Sequence, residues 1–182
     1  LCLAVDGTVL VEERLPTPRG AANLTDTVAA VVEALAKNAG GHIAAVGVGA
    51  PGLVDRSGVL RAAPNLIGVT EMPIRETLTA RLGVPVTVDN DVNWAARAER
   101  DATDGQQLDD FAYLHLGEGL GCAVVNDGLV RRGHTGLVGE IAHVLTHGPD
   151  GLAIPLIDVF GALRLRHRAS TAIDVPALLA AV

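Results

Sequence analysis

The stretch Val84–Trp94 reads VPVTVDNDVNW and joins an apolar run to a cluster of polar groups. Val84–Val88 is apolar except for Thr87, which is typical of a strand covered by helices on both faces of an α/β sheet. Ligands of such sheets gather at the carboxyl ends of the strands, where helix N-termini present free N–H groups. The stretch therefore predicts a site for a small polar ligand, with helix capping by one residue as the simpler alternative. The polar side chains concerned are Asp89, Asn90, Asp91 and Asn93.

Strand and helix patterns alternate along the rest of the chain. Apolar residues recur at helical spacing after Asn23, and strand-like runs flank short turns rich in glycine. From Ala153 onward the pattern predicts helices. The mixture favours a parallel or mixed α/β sheet flanked by helices. The predicted elements are a hairpin over 3–11, a helix from 23 to a stop at 40–41, a strand over 43–49, a hairpin over 53–60, a helix from Pro73 to Gly83, a helix over 91–100, and strands over 111–116, 122–125 and 129–130.

Composition limits the classes of function that these residues support. The 182 residues are 49% hydrophobic and 2% aromatic with a net charge of −7, so they can bury a core but are poor binders of DNA or anionic membranes. No apolar run approaches the roughly 20 residues needed to span a bilayer. Cys2 and Cys122 sit in apolar runs, which favours small core residues over a disulfide and fits a reducing cytoplasm.

Two further motifs carry polar chemistry after residue 110. The run Gly117-Glu118-Gly119-Leu120-Gly121 joins two predicted strands. Such a bend can present backbone amides to a phosphate, although a tight turn is the simpler alternative. Glu140 and His143 stand three residues apart and become neighbours if their segment is helical or tightly turned. Taken alone, that pair is typical of a solvated surface.

Four of these motifs, taken in order, resemble those of the ROK family, which contains bacterial sugar kinases and sugar-responsive transcriptional repressors. The motifs are GVGAPGLVD at 47–55, VDNDVNWAA at 88–96, LGEGLGCAVVNDG at 116–128 and GLVGEIAH at 136–143. The resemblance covers roughly residues 1–143. It implies an actin-like ATPase fold, also called ribonuclease-H-like, in an incomplete two-lobed domain. Residues 1–100 would form the N-terminal lobe and residues 101–182 the start of a truncated C-terminal lobe.

The same resemblance implies roles for individual residues. Asn90 and Asp91 match the pair that grips sugar hydroxyls, and in a kinase Asp91 would be the base that deprotonates the attacking hydroxyl. Glu140 and His143 match the family's sugar-binding glutamate and the histidine of its G-E-x-G-H motif. The glycine-rich bend matches the second phosphate loop, through Gly117, Glu118, Gly119 and Gly121. The family's first phosphate loop, D-x-G-G-T, is expected upstream of Leu1, and more of the second lobe beyond Val182.

Two departures from the family pattern favour a branch without catalysis. Kinase members usually carry Thr in the second phosphate loop, where this chain has Glu118. A carboxylate about 4 Å from a phosphate charge costs roughly 4 kcal/mol at an effective dielectric near 20, if it points at the nucleotide. The family's structural zinc uses cysteines after the G-E-x-G-H histidine, but residues 144–151 contain none. His143 and His147 supply at most two ligands, and Gly148-Pro149 disfavours a helix that would pair them, so no metal site is expected.

These features predict the sugar-sensing effector domain of a ROK transcriptional repressor. The alternative is an ATP-dependent hexose kinase, which would need ATP and Mg²⁺, whereas the repressor needs neither. The expected partners are a sugar or sugar phosphate, a second copy of the chain in a homodimer or higher oligomer, and DNA through an upstream domain not in this sequence. The location expected is the cytoplasm, without a membrane partner. The basic residues Arg164, Arg166, His167 and Arg168 predict the solvated face of a helix rather than a patch for anionic partners.

Overall fold

The computed structural model describes residues 1–16, 21–63, 66, 69–102 and 108–181. The chain divides into two compact units, the first Leu1–Asp91 and the second Val92–Val182. No helix in the described part of the chain is long and apolar enough to cross a membrane. The lobe boundary near residue 100 stays a prediction.

The first unit combines strands and helices in the order that the sequence patterns predict. Its helices are α1 and α2, and β3 pairs with β7 in parallel, with Val48 opposite Val88. The β1–β2 and β4–β5–β6 sheets are antiparallel. The sequence patterns did not predict β6, the strand that pairs with β5. The elements are β1 (Cys2–Leu3), β2 (Val9–Val11), α1 (Ala21–Ala39), β3 (Val46–Ala50), β4 (Leu53–Val54), β5 (Leu60–Ala62), β6 (Thr70–Met72), α2 (Ile74–Leu82) and β7 (Val86–Asn90).

Both helices of this unit end where glycine permits it. After α1, Gly40 has φ +69°, a left-handed conformation that lacks a steric penalty only for glycine. After α2, Gly83 takes the left-handed conformation at the C-cap, and its N–H donates to the carbonyl of Thr79 at 3.0 Å. Pro73 precedes the first turn of α2, where a missing N–H costs no hydrogen bond. The predicted ends of these helices are therefore confirmed.

One apolar core holds the first unit together. Leu60 and Leu78 are fully buried, and Val86 and Val88 bring the parallel pair of strands into the same cluster. Thr87, on the opposite face of β7, is exposed. Asp89, two residues on and on the same face as Thr87, is fully buried, so the expectation that both faces of this strand are covered is wrong at Thr87 but not at the carboxyl end of the strand.

The second unit is built on an antiparallel sheet in the order β10–β9–β8. Ala96, Ala123 and Val125 are buried between this sheet and α3. The predicted turn joins β9 to β10 through Asp127 and Gly128, with φ values of +51° and +69°, the conformation of a tight hairpin turn. The elements are α3 (Asp91–Ala102), β8 (Phe111–Leu116), β9 (Leu120–Asn126), β10 (Leu129–Arg131), β11 (Leu145–His147), β12 (Ala153–Pro155), α4 (Leu156–Ala162) and α5 (Val175–Ala180).

The C-terminal part corrects the helical prediction in two places. Ile154 lies in β12, paired with Thr146, and the helix begins only at Leu156. The helix ends at Ala162, so the basic residues that follow do not lie on a helical face. Arg166 instead forms an isolated antiparallel bridge with Ile173. The second predicted helix is present as α5, which Asp174 caps by accepting the N–H of Ala177 at 3.0 Å.

Candidate functional site

Asn90 is the last residue of β7, so the strand extends through two of the polar residues expected to follow it. It lies opposite Ala50 of β3 in the parallel pair. Its side-chain Nδ2 donates to the backbone carbonyl of Gly52 at 2.9 Å, and its backbone N–H donates to Asp89 Oδ1 at 2.9 Å. These bonds fix both the backbone and the plane of the Asn90 amide at the carboxyl end of the strand.

Gly52 occupies a place that no other residue fits. Its φ is +132°, and a Cβ built on it would lie 2.1 Å from the carbonyl oxygen of Ala62 and 2.9 Å from Cα of Ala63. Real side chains do not tolerate such approaches, so the loop after β3 must carry glycine here. The sequence pattern indicated a glycine-rich turn here, but not that its carbonyl receives the Asn90 amide.

Asp89 is a fully buried carboxylate, with 0% of its surface exposed. A buried charged group is tolerated only where hydrogen bonds replace its lost hydration, and Asp89 accepts one from the Asn90 N–H. No buried side-chain nitrogen or oxygen lacks a hydrogen-bond partner within the described ranges. Asp89 is thus placed to support the strand end, while Asp91, the first residue of α3, is exposed.

The position of Asp91 suits a negative charge. The N-terminus of a helix carries a partial positive charge, which favours a carboxylate in the first turn. Asn93, two residues on, is 9% exposed and belongs to the buried side of the same helix. The four polar residues of the quoted stretch therefore separate into two that are exposed or half-buried, Asn90 and Asp91, and two that are buried.

Glu140 and His143 lie between β10 and β11, in a series of turns rather than a helix. The Glu140 N–H donates to the carbonyl of Leu137 at 3.2 Å. Gly139, just before it, has φ +95°, and a Cβ there would lie 2.0 Å from the carbonyl oxygen of Cys122. This glycine lets the turn approach β9 closely. Both Glu140 and His143 are exposed.

The glycine-rich bend joins β8 to β9 as a short turn, here called the β8–β9 loop, residues Gly117–Gly119. The Gly117 N–H donates to the Gly119 carbonyl at 3.0 Å within this loop. Gly121 lies in β9, where a Cβ would come within 2.6 Å of Val92 Cγ2, so a larger residue would collide with α3. The motif thus contains both a tight turn and a packing glycine.

Glu118, at the tip of this loop, is exposed. Solvent screening brings the cost of a carboxylate about 4 Å from a phosphate charge down toward the value in water, about 1 kcal/mol. That corresponds to about fivefold in affinity rather than a thousandfold. The larger sequence-based penalty is therefore not supported, because it requires a side chain directed at the nucleotide.

The residues of the second unit do not fit the family's zinc. His143 lies in a turn and His147 in β11, and Cys122 lies in β9. Across the described parts of the chain, no group of three or more His, Cys, Asp or Glu side chains is close enough together to hold a metal ion. A closed zinc site needs four such ligands in tetrahedral arrangement.

Asp55, in the hairpin turn after Gly52, has a pKa well below the ordinary value of an aspartate. Burial alone raises the pKa of Asp55, but hydrogen bonds from Ser57, Val59 and Arg61 outweigh it and lower that pKa to about 2. Arg61 contacts Asp55 at 2.6 Å and also pairs with Glu71. This cluster fixes the β4–β5 turn, three residues beyond the glycine that holds Asn90.

Comparisons with known proteins extend this picture. The model of the ROK family matches residues 1–154. A glucokinase of Streptomyces coelicolor is 36% identical over 148 residues, which are 81% of this chain and 45% of the glucokinase. A xylose repressor of Caldicellulosiruptor bescii is 32% identical over 109 residues, 59% of this chain and 27% of the repressor.

A solved structure from the ROK family is also similar to this chain. The crystal structure of a ROK family glucokinase from Streptomyces griseus, in complex with glucose and AMPPNP, matches 81% of this chain and 47% of its own with a TM-score of 0.70 and 32% identity. The chain spans less than half the length of each of these three proteins. Its architecture is that of the actin-like ATPase fold. With most of the chain matched by one family model, the protein belongs to the ROK family.

Proposed function

We propose that this chain is the sugar-binding effector part of a ROK transcriptional regulator, without kinase activity. Relatives named glucokinase and xylose repressor support a sugar ligand in either branch of the family. The β8–β9 loop carries the choice of branch. The Gly117 N–H, a donor in the motif that matches the family's second phosphate loop, is bonded to Gly119, whereas the exposed Glu118 adds a repulsion of only about 1 kcal/mol.

The proposed sugar-binding residues are Asn90, Asp91, Glu140 and His143. A carboxylate accepts hydrogen bonds from sugar hydroxyls, and an amide or imidazole both donates and accepts. Charge-assisted bonds of this kind contribute about 1.5 to 3 kcal/mol each. The Gly52 carbonyl supports the assignment of Asn90, because it holds the amide in one orientation before any ligand arrives.

Regulation would follow from linkage between sugar binding and DNA binding. A sugar that binds one arrangement of a dimer more tightly shifts the protein toward that arrangement. Typical coupling free energies of about 1 to 3 kcal/mol change the second affinity by roughly 5- to 150-fold. In this proposal DNA is bound through a separate domain, and the protein assembles in the cytoplasm as a homodimer or a higher homo-oligomer. Light scattering on the full-length protein would give the mass of that assembly.

A hexose kinase is the second candidate, since the curated and structural relatives include glucokinases and one holds glucose with AMPPNP. In that case Asp91 is the base, because a carboxylate at the start of α3, directly after β7, can lie within hydrogen-bond reach of the attacking hydroxyl. Bound Mg·ATP would supply the transferred phosphoryl group and the charge neutralisation. The chain's own part is to orient the sugar hydroxyl through Asn90 and to accept its proton at Asp91.

The deciding experiment uses the full-length protein. Sugar binding is measured by calorimetry on Asp91→Ala and Glu140→Ala, with Glu99→Ala and Asp150→Ala as controls that also remove one exposed carboxylate. Binding should be lost in the first two variants and retained in the controls. Equal affinity in all five proteins would remove the assignment of the site.

A coupled assay of ADP release separates the two candidates. Glucose, other hexoses and amino sugars are supplied with Mg·ATP, and ADP formation is followed. Turnover above about 1 per second, within the usual enzyme range, would contradict the regulator and favour the kinase. A protein that binds sugar but releases no ADP is the result expected here.

A further inference from the structure

The segment Leu165–Asp174, here called the C-terminal clasp, contacts the β8–β9 loop. It follows α4 and lies beyond residues 1–154, which match the family model. Within it, Ile173 is 3% exposed, and its backbone N–H donates to the carbonyl oxygen of Gly117 at 2.9 Å. A buried donor from the C-terminal part of the chain is therefore bonded to the loop that carries Glu118.

The clasp is a short antiparallel hairpin whose geometry directs this donor. Arg166 and Ile173 form its bridge, and the bonds on either side run from the His167 N–H to the Ala172 carbonyl at 3.0 Å and from the Asp174 N–H to the Leu165 carbonyl at 2.9 Å. In such a pair, the residues that face each other turn their own N–H groups away from the partner strand. The Ile173 N–H is thus an edge donor, and Gly117 receives it.

Arg166 fastens the clasp to the helix before it. Its guanidinium donates to the backbone carbonyl of Thr171, inside the clasp, and to the carbonyl of Ile157 in α4 at 2.7 Å. Charge-assisted hydrogen bonds of this kind are stronger than neutral ones. The side chain therefore holds the clasp closed and ties it to α4, a role that the run of basic residues did not predict.

Both backbone polar groups of Gly117 are consequently engaged. Its N–H bonds to Gly119 and its carbonyl to Ile173. A phosphate that takes the Gly117 N–H must break the first bond and rotate the residue. The second bond opposes that rotation because it holds the carbonyl of the same residue.

We propose that the C-terminal clasp is an autoinhibitory contact that keeps the β8–β9 loop closed to a nucleoside triphosphate. The proposal rests on the proposed function and deepens it, because a clasped loop is what prevents a sugar sensor from turning over ATP. Opening the clasp frees the Gly117 carbonyl, so the residue can rotate away from Gly119 and turn its N–H toward a phosphate.

The test compares variants of the full-length protein by calorimetry with AMPPNP and Mg²⁺. Ile173→Pro deletes the N–H donor, and Arg166→Ala releases the hairpin without altering any residue at the loop. Each should bind AMPPNP about tenfold more tightly than the wild type, the effect of losing about one net hydrogen bond. Thr171→Ala is the matched control, because Arg166 bonds to the Thr171 backbone carbonyl, which this substitution keeps.

Hydrogen exchange at the backbone amides of 117–121 provides a readout independent of the nucleotide. It should accelerate in Ile173→Pro and in Arg166→Ala and stay unchanged in Thr171→Ala. If a folded Arg166→Ala or Ile173→Pro protein keeps wild-type exchange and wild-type AMPPNP affinity, the clasp is refuted. Sugar calorimetry on the same variants separates this failure from a failure of the proposed function, since the sugar assignment does not depend on Ile173.

Discussion

The side-chain Nδ2 of Asn90 donates to the carbonyl oxygen of Gly52 at 2.9 Å, which joins the end of one parallel strand to the loop after its neighbour. The contact exists because Gly52 takes a φ of +132° and passes within van der Waals distance of Ala62. Two motifs that are far apart in the sequence thus form one local structure. The glycine acts as a positioning residue for the amide proposed to bind sugar.

Replacing Gly52 with alanine should weaken sugar binding. The added Cβ collides with the Ala62 carbonyl, so the loop must move and the Asn90 amide loses its partner. We expect affinity to fall by about tenfold or more, since one net hydrogen bond and the orientation of the amide are lost. Calorimetry with the sugar that the wild type binds measures the change.

Gly41→Ala is the control for this substitution, because no atom lies within 4 Å of a Cβ at Gly41. It should leave sugar affinity unchanged. The Gly52 variant is also expected to lose more than about 1 kcal/mol of stability, as alanine is strained at positive φ. Wild-type sugar affinity in a folded Gly52→Ala protein would contradict the positioning role.

Local patterns in the sequence predicted most elements because their signals are local. The Asp127-Gly128 turn, the glycine ends of α1 and α2, and the parallel strand β7 each depend on residues within one turn or one strand. The prediction that failed at Thr87 depended on what packs against a face of β7. An apolar run predicts that a strand is buried, but it does not predict which helices or strands cover each face.

The contacts at the candidate site were harder to predict because backbone groups make them. Gly52 accepts through its carbonyl, and Ile173 donates through its N–H. In each contact at least one partner is a backbone group, and neither the Gly52 carbonyl nor the Ile173 N–H is marked by the residue type in the sequence. The sequence shows that Arg166 is a basic residue but does not identify its partners, which are the backbone carbonyls of Ile157 and Thr171 rather than an anion.

Replacing Glu118 with threonine should strengthen nucleotide binding only modestly. The side chain is exposed at the loop tip, so its repulsion of a phosphate is near the value in water, about 1 kcal/mol at 4 Å. We expect AMPPNP affinity to rise about fivefold at low ionic strength and the gain to shrink as salt is added. The control Glu13→Thr removes the same charge from an exposed position in the first unit. A gain of several hundredfold would show that Glu118 faces the nucleotide directly.

Truncating Leu78 should reveal how far the first unit depends on its core. This side chain is fully buried on α2, and its replacement by alanine leaves a cavity among packed apolar neighbours. Losses of about 2 to 5 kcal/mol are typical of such changes. Urea unfolding should therefore show a much lower midpoint for Leu78→Ala, while Thr79→Ala, on the exposed side of the same helix, should stay close to the wild type. Similar midpoints for both variants would argue against this core.

Asp55 should make part of the stability dependent on pH. Its pKa is about 2 in the folded chain, against an ordinary value of 3.8 that we take for the unfolded chain. A carboxyl group with a lowered pKa stabilises the fold above the unfolded value, and this contribution is lost as the pH falls from about 4 to about 2. Allowing for partial exposure and solvent screening, we expect Asp55 to contribute about 1 to 2 kcal/mol to the free energy of unfolding above pH 4.

Asp55→Asn should therefore be less stable than the wild type at pH 6 and pH 5, and the difference in urea midpoint between the two proteins should narrow below pH 4. Glu33→Gln, exposed on α1, serves as the control and should track the wild type at each pH. A gap that stays constant down to pH 2.5 would show that the Asp55 carboxylate contributes through its shape rather than its charge.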